Sequence, residues 1–182
     1  MEVTDDQALA LFRHYELLRR WNHKMSLTAL RDPDEIVVRH YAESVFFASQ
    51  MPDTPAGSTI ADVGSGPGFP GIPMAIVQPD WRMTLIESNQ RKAVFLREAT
   101  RQLGNVDVIG ERAERVRAGF DWIVSRAVSP GQVLALMPKV APRVGLLISR
   151  PELDEIGFVL SKCVPVPWAD GLVCAYHVPR GT

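Results

Sequence analysis

Cysteine is scarce in this chain of 182 residues, with only Cys163 and Cys174 present. Two late cysteines cannot form a disulfide framework, and no Cys-x-x-Cys or His-x-x-x-His spacing suggests zinc, so both read as packing residues and no metal is expected. Lysine is scarce too: 4 lysines stand beside 16 arginines, within a formal net charge of −1. A cation set so dominated by arginine favours planar, bidentate recognition of phosphate or carboxylate over diffuse attraction. Long apolar runs are missing; nothing approaches the ~18 residues a membrane span needs. The opening Met1-Glu-Val-Thr-Asp-Asp has no basic segment followed by an apolar stretch, so the expected setting is cytoplasmic, with no leader peptide. With 46% hydrophobic and 23% charged residues the composition is that of a globular chain.

The cations are clustered. Residues 13–24 hold Arg13, Arg19, Arg20 and Lys24 against Glu16, and residues 91–117 hold seven cations against four carboxylates. A neutral total can therefore conceal basic faces for an anionic partner. Arg19, Arg20, Arg91 and Lys92 are the first candidates for phosphate contacts, and Lys24, Arg39 and His40 form an alternative surface. Arg91 and Lys92 would open a helix, where cations oppose the macrodipole.

Two helices are expected in residues 1–57, which read as an N-terminal helical extension packed on a core formed by residues 58–182. Ala8, Leu11, Phe12, Tyr15 and Leu18 make one apolar stripe at helical spacing. Asp32-Pro33-Asp34-Glu35 supplies an N-cap, a proline at the first helical position and a reciprocal carboxylate. The helix that follows should run toward Gln50 and bury Ile36, Val37, Tyr41 and Val45. From Ser58 onward, short β runs at 59–63, 83–86, 106–109, 122–124 and 144–148 alternate with helical stretches at 70–77, 90–103, 111–117 and 132–140. That alternation predicts an α/β fold with a parallel sheet covered on both faces. Runs at 163–168 and 172–178 flank Ala-Asp170-Gly171, a hairpin signal, and Pro165 and Pro167 confine the first of them to a sheet edge.

The most informative stretch is Asp62-Val-Gly64-Ser-Gly66-Pro-Gly68-Phe69-Pro-Gly71, at the turn from the first strand into the first helix of the core. Its glycines permit positive φ and close ligand approach. Glu87 ends the next strand 23 residues after Gly64, where a carboxylate can accept from both ribose hydroxyls. A nucleoside cofactor is implied. Pro67 and Pro70 remove amides that a pyrophosphate would want as donors. S-adenosylmethionine needs no such donors, and Asp62 and Phe69 suit its cationic parts. A nicotinamide-dependent oxidoreductase is the runner-up, and an RNA-binding or ribosome-assembly module without turnover is a second alternative.

Asp62-Val-Gly-Ser-Gly-Pro-Gly-Phe-Pro-Gly-Ile-Pro73, Leu85-Ile-Glu87-Ser, Arg91-Lys-Ala-Val-Phe-Leu96 and Ser125-Arg126-Ala127 resemble the bacterial small-subunit ribosomal RNA guanine-N7 methyltransferase family, also called the glucose-inhibited division protein B family. Trp21-Asn22, Leu27-Thr28 and Arg39-His40 are similar to its N-terminal signatures, with Ser26 and Glu43 where the family usually shows Asn and Asp. The resemblance implies a class I S-adenosylmethionine-dependent methyltransferase fold, Rossmann-like and mostly parallel, ending in an antiparallel hairpin. It implies S-adenosylmethionine as donor and N7 of one guanine in 16S rRNA as acceptor, with naked RNA or the small ribosomal subunit as partner. No obligate protein partner and no membrane are expected. By the same resemblance Gly64, Phe69, Ala113, Glu114 and Arg126 line the cofactor site, alongside Asp62, Gly66 and Glu87. Arg126 at a strand end has Glu114 as a possible ion-pair partner, and Trp21 at a helix end reads as core.

Guanine N7 carries a free lone pair, so its methylation removes no proton beforehand and no general base is expected. Consistent with that, Ser125-Arg126-Ala127-Val128 stands where enzymes acting on exocyclic amines usually place Asn/Asp-Pro-Pro-Tyr. Both cysteines lie beyond the expected active-site loops, so a thiolate nucleophile is not expected.

Overall fold

A computed structural model describes residues 2–179 of the chain. Seven strands form one sheet in the order β3-β2-β1-β4-β5-β7-β6. These are β1 (Thr59–Val63), β2 (Arg82–Ile86), β3 (Val106–Ile109), β4 (Trp122–Arg126), β5 (Arg143–Ser149), β6 (Lys162–Pro165) and β7 (Leu172–His177). The first five are parallel, and β7 pairs antiparallel with both β5 and β6. The hairpin therefore closes the sheet as expected, with the proline-bearing β6 at the edge.

The helices are α1 (Asp5–Met25), α2 (Pro33–Ile36), α3 (Glu43–Gln50), α4 (Gly71–Val77), α5 (Gln90–Ala99), α6 (Pro130–Leu134), α7 (Met137–Val140) and α8 (Arg150–Glu155). One apolar core joins Leu18, Tyr41 and Phe47 of the N-terminal helices to Ile72, Phe95, Trp122 and Tyr176. A second joins Ala61, Ile123 and Leu146 of the sheet to Val133, Leu136 and Val140. Burial of apolar surface on both sides is what a parallel sheet requires.

Several expectations need correction. The buried face of α1 is centred on His14, Leu18 and Asn22, whereas Phe12 is 56% exposed and Ala8 is exposed. The predicted stripe was rotated because the many apolar residues around residue 12 offer two overlapping helical faces. The second helix is not regular: between α2 and α3 lies a π-helical segment, Val37–Ala42, in which the Glu43 amide donates to the Val38 carbonyl. Each wider π turn shifts the phase of the residues around it, so Ile36 and Tyr41 are buried while Val37 is 49% exposed. Val45 is half-buried. Asp32 caps the Glu35 amide at 2.9 Å as expected, but no return bond from the Glu35 side chain is found among the described residues. The stretch 111–117 forms only a 3₁₀ turn at Ala113–Arg115, and 132–140 is split between α6 and α7 around Ala135 and Leu136. The helix expected to reach residue 103 stops at Ala99, its cap Thr100 donating its hydroxyl back to the Leu96 carbonyl.

Candidate cofactor and RNA site

In a sheet of this order the strand direction of growth reverses between β1 and β4, and the crevice at their carboxyl ends is where open α/β sheets bind ligands. A cleft of about 260 Å³ lies there. Val63, Ile86, Val128 and Leu136 form its apolar wall, Ser88 and Glu111 add polar groups, and Gly64, Ala113 and Glu114 also line it.

Gly64 has φ of +73°, and a Cβ there would lie 2.4 Å from Cγ2 of Val128. Only glycine fits. Beneath the loop, Asp62 is 0% exposed and its Oδ2 accepts from the Gly71 amide at 3.0 Å. A Cβ on Gly71 would fall 2.6 Å from that oxygen, so Asp62 and Gly71 fix the start of α4 together. Asp62 Oδ1 is buried with no hydrogen-bond partner in the protein. Burial raises the Asp62 carboxyl to about 7, against the lowering effect of the Gly71 amide and Ser65; the nearby Glu87 adds to the rise.

Glu87 sits between Ile86 and Ser88, which both line the cleft. Its Oε2 accepts from the Gly66 amide at 2.9 Å and its Oε1 from the Asn89 amide at 2.7 Å. Each carboxylate oxygen retains a lone pair, enough for two ribose hydroxyls. Glu87 thus ties the glycine loop to the end of β2 and remains able to accept from a ligand. The glycine that excludes a Cβ and the spare acceptors of Glu87 fit S-adenosylmethionine, while the fully buried Asp62 shapes the loop from beneath.

Of the expected cofactor residues, Asp62, Gly66, Phe69, Glu87 and Arg126 are not among those that line the cleft; Asp62, Gly66 and Glu87 lie buried at the base of the glycine loop. Phe69 is buried in an aromatic cluster, stacked on His40 with centroids 4.6 Å apart and edge-on to Tyr41 at 5.0 Å. Arg126 does not line the cleft either. It pairs with Glu43 at 2.7 Å, not with Glu114, and its guanidinium also donates to the Arg39 carbonyl. Residue types near a strand end could not choose between Glu43 and Glu114; the π-helical segment decides, because it carries Glu43 and the Arg39 carbonyl to β4. Burial raises the Glu43 carboxyl above its ordinary value, while the charges of Arg126 and Arg39 oppose the rise.

His14 was not foreseen. It is buried in α1 with Nε2 3.1 Å from the Pro67 carbonyl and Nδ1 2.9 Å from the Tyr41 hydroxyl. A carbonyl only accepts, so Nε2–H donates to Pro67 and Nδ1 accepts from Tyr41. The neutral tautomer links α1 to the glycine loop. Burial lowers His14 to about 4, with the Pro67 carbonyl opposing and the neighbouring His40 assisting. Its spacing was a usable signal: His14 lies four residues after Ala10 and four before Leu18. His40 meets the Thr28 hydroxyl at 2.9 Å through Nε2, and burial first, then the charges of Arg126 and Arg39, lowers it to about 4.

Of the basic candidates, Arg20, Lys24 and Arg91 come together at a groove between α1 and α5, with Trp21, Met25 and Val94. Arg19 is paired with Glu16 at 3.3 Å. Lys92, Arg39 and His40 do not line this groove.

The family model described as rRNA small subunit methyltransferase G matches residues 7–148. A ribosomal RNA small subunit methyltransferase G of Xanthomonas campestris pv. campestris is 47% identical over 182 residues, covering 96% of this chain and 82% of that protein. The protein of the same name from Nitrosospira multiformis is 44% identical over 133 residues, covering 71% of this chain; the match spans only 60% of that relative's length. Among solved structures, a SAM-dependent methyltransferase from Aquifex aeolicus aligns with a TM-score of 0.62 at 16% identity, covering 83% of this chain and 95% of its own. Aeropyrum pernix fibrillarin with natively bound S-adenosyl-L-methionine aligns with a TM-score of 0.60 at 17% identity, covering 75% and 73%. The fold is that of the S-adenosylmethionine-dependent methyltransferases, and the chain belongs to the family of rRNA small subunit methyltransferases G.

Proposed function

We propose that the chain transfers a methyl group from S-adenosylmethionine to N7 of a guanine in 16S rRNA, with Gly64, Gly66, Glu87, Ala113 and Glu114 holding the cofactor and basic residues of α1 and α5 meeting the RNA. The class of reaction, S-adenosylmethionine-dependent methylation of rRNA, follows from family and fold. The observation that carries the acceptor atom is the end of β4. There the Ser125 hydroxyl donates to the Val63 carbonyl at 2.8 Å, Arg126 is committed to Glu43, and it is the apolar Val128 that faces the cleft. None of residues 125–128 offers a free side-chain carboxylate or amide to hold or deprotonate an exocyclic amine, and an N7 acceptor needs no proton taken.

The bound cofactor supplies a methyl carried on a sulfonium. The protein's contribution is positioning and desolvation. Glu87 orients the ribose, the Gly64 backbone permits close approach, and Val128 keeps the reacting side of the cleft apolar. Asp62 and His14 act on the loop itself, through the Gly71 amide and the Pro67 carbonyl. The test is nucleoside mass spectrometry on 16S rRNA incubated with the protein and the cofactor. N7-methylguanosine is expected; a methyl on an exocyclic amine, or no methyl on naked RNA or on small subunits, overturns the reading.

A further inference from the structure

The groove between α1 and α5 has a volume of about 480 Å³ and a particular make-up: an aromatic and two aliphatic side chains, Trp21, Met25 and Val94, ringed by Arg20, Lys24 and Arg91. No carboxylate lines it. Among the described residues the only ion pairs are Arg19–Glu16 and Arg126–Glu43, so none of the three groove cations is neutralised. Trp21 is half-buried, its ring braced edge-on against Phe95 at 5.7 Å. Val94 is exposed although apolar. Asn89 caps α5 by accepting from the Arg91 and Lys92 amides, which keeps Arg91 at this mouth against the unfavourable helix dipole.

We infer that this groove holds an unpaired nucleotide of the RNA, its base stacked on Trp21 and its flanking phosphates on Arg20, Lys24 and Arg91. The inference rests on the rRNA reading above and adds a site to it. A rigid aromatic plate inside a ring of cations matches the two faces of a single-stranded nucleic acid, a flat base and an anionic backbone. A duplex offers no free base to the plate. An acidic peptide would satisfy the cations but leave the indole without a planar partner, and an apolar helix would bury three unpaired charges at high cost. Position agrees: Arg91 follows Ser88, a residue of the cofactor cleft, by less than one helical turn. The groove and the cleft therefore lie within a few residues of each other along the chain.

Trp81 and Trp122 are buried and Trp168 is exposed, so a Trp168→Phe background leaves Trp21 as the accessible indole. In that background oligoadenylate should quench the fluorescence, whereas its duplex with oligouridylate and an oligoglutamate should not. Trp21→Leu should weaken oligoadenylate binding by about five- to 150-fold, the range that stacking of one base supports, without altering the salt dependence. Trp21→Phe should restore most of it. The triple variant Arg20→Gln, Lys24→Gln, Arg91→Gln should instead make the slope of log affinity against log salt shallower by about 2, at roughly 0.7 per phosphate contact. Unchanged oligoadenylate affinity in Trp21→Leu overturns the inference, as does equal quenching by the duplex or the oligoglutamate. The quenching requires no variant of Trp21 itself, so a misfolded Trp21→Leu cannot shelter the idea. Methylation of 16S rRNA is read separately: if it proceeds while the groove variants bind RNA normally, the function stands and the groove falls.

Discussion

Replacing Glu87 by alanine should damage both the fold and the cofactor site, in amounts the geometry bounds separately. The Gly66 amide at 2.9 Å and the Asn89 amide at 2.7 Å both lose a charged acceptor. A buried donor left without a partner costs about 1–3 kcal/mol. Gly66 is buried and pays in full, whereas Asn89 is exposed and can turn to water, so unfolding free energy should fall by about 1–3 kcal/mol. Cofactor binding should lose roughly 1.5–3 kcal/mol more through the missing bonds to the ribose, or about 10- to 150-fold in affinity. Glu87→Gln, which keeps one acceptor oxygen, should fall between the two proteins in both measurements. Urea unfolding without ligand gives the first quantity and calorimetric titration with S-adenosylmethionine, at a temperature where the variant is folded, gives the second. A variant that is destabilised but binds with unchanged affinity would refute the ribose role and reduce Glu87 to a brace for the loop. A variant with unchanged stability would refute the bracing.

Gly64→Ala should lower cofactor affinity by at least tenfold, because a left-handed backbone costs a non-glycine residue about 1–3 kcal/mol and the new Cβ displaces Val128 from 2.4 Å; adding Val128→Ala should recover part of the loss in a double-mutant cycle, and independent, additive effects would contradict the contact. His14 binds a proton only below about 4 in the folded chain and near 6.5 in the unfolded one. The unfolded state therefore takes up more protons in that window, and stability contributed by neutral His14 is lost as pH falls through it, by up to about 3 kcal/mol. Asp62, raised to about 7, works in the opposite sense, since its native carboxyl holds a proton that the unfolded one releases. The wild-type profile should consequently be shallow, and the histidine is read from the difference between wild type and His14→Gln in urea unfolding at pH 7 and pH 5; equal pH dependence in the two would refute the assignment. Glu43→Ala should cost up to about 3–5 kcal/mol by stranding the half-buried Arg126, while Glu43→Leu with Arg126→Met should recover most of that; thermal unfolding of the two variants separates charge stranding from lost packing.

Much of the architecture was legible in the chain. The boundaries of β1 and β3 follow directly from their β-rich runs, and those of the remaining strands to within a few residues: the central strands are buried on both faces and read as continuous apolar runs, while the half-exposed edge strand β3 keeps β-branched residues around Asp107. The hairpin was equally plain, since Asp170-Gly171 and the prolines of the edge strand act locally. The glycine loop and Glu87 were visible because positive φ, close approach and a carboxylate at a strand end are demands on residue type at fixed spacing. Other features depended on partners distant in sequence. No local signal separates a π turn from an α turn at Val37–Ala42; Arg126, far along the chain, captures the Arg39 carbonyl there. The true face of α1 was set by which side meets α4 and α5, not by its own apolar count, and this hid His14 in a stripe read one step away. The reciprocal caps Thr4–Gln7 and Ser149–Glu152 are local features, set by residue types three apart in the sequence. Phe69 and Arg126 sit in motifs whose residue types suggest a cofactor wall; that they also pack against His40 and pair with Glu43 was decided by tertiary structure. Sequence determined which residues must be glycine, carboxylate or apolar, because those constraints act on each residue where it stands. Only the tertiary structure decided which distant side chains those residues would meet, because the energy of a contact depends on a neighbour that the chain brings near only by folding.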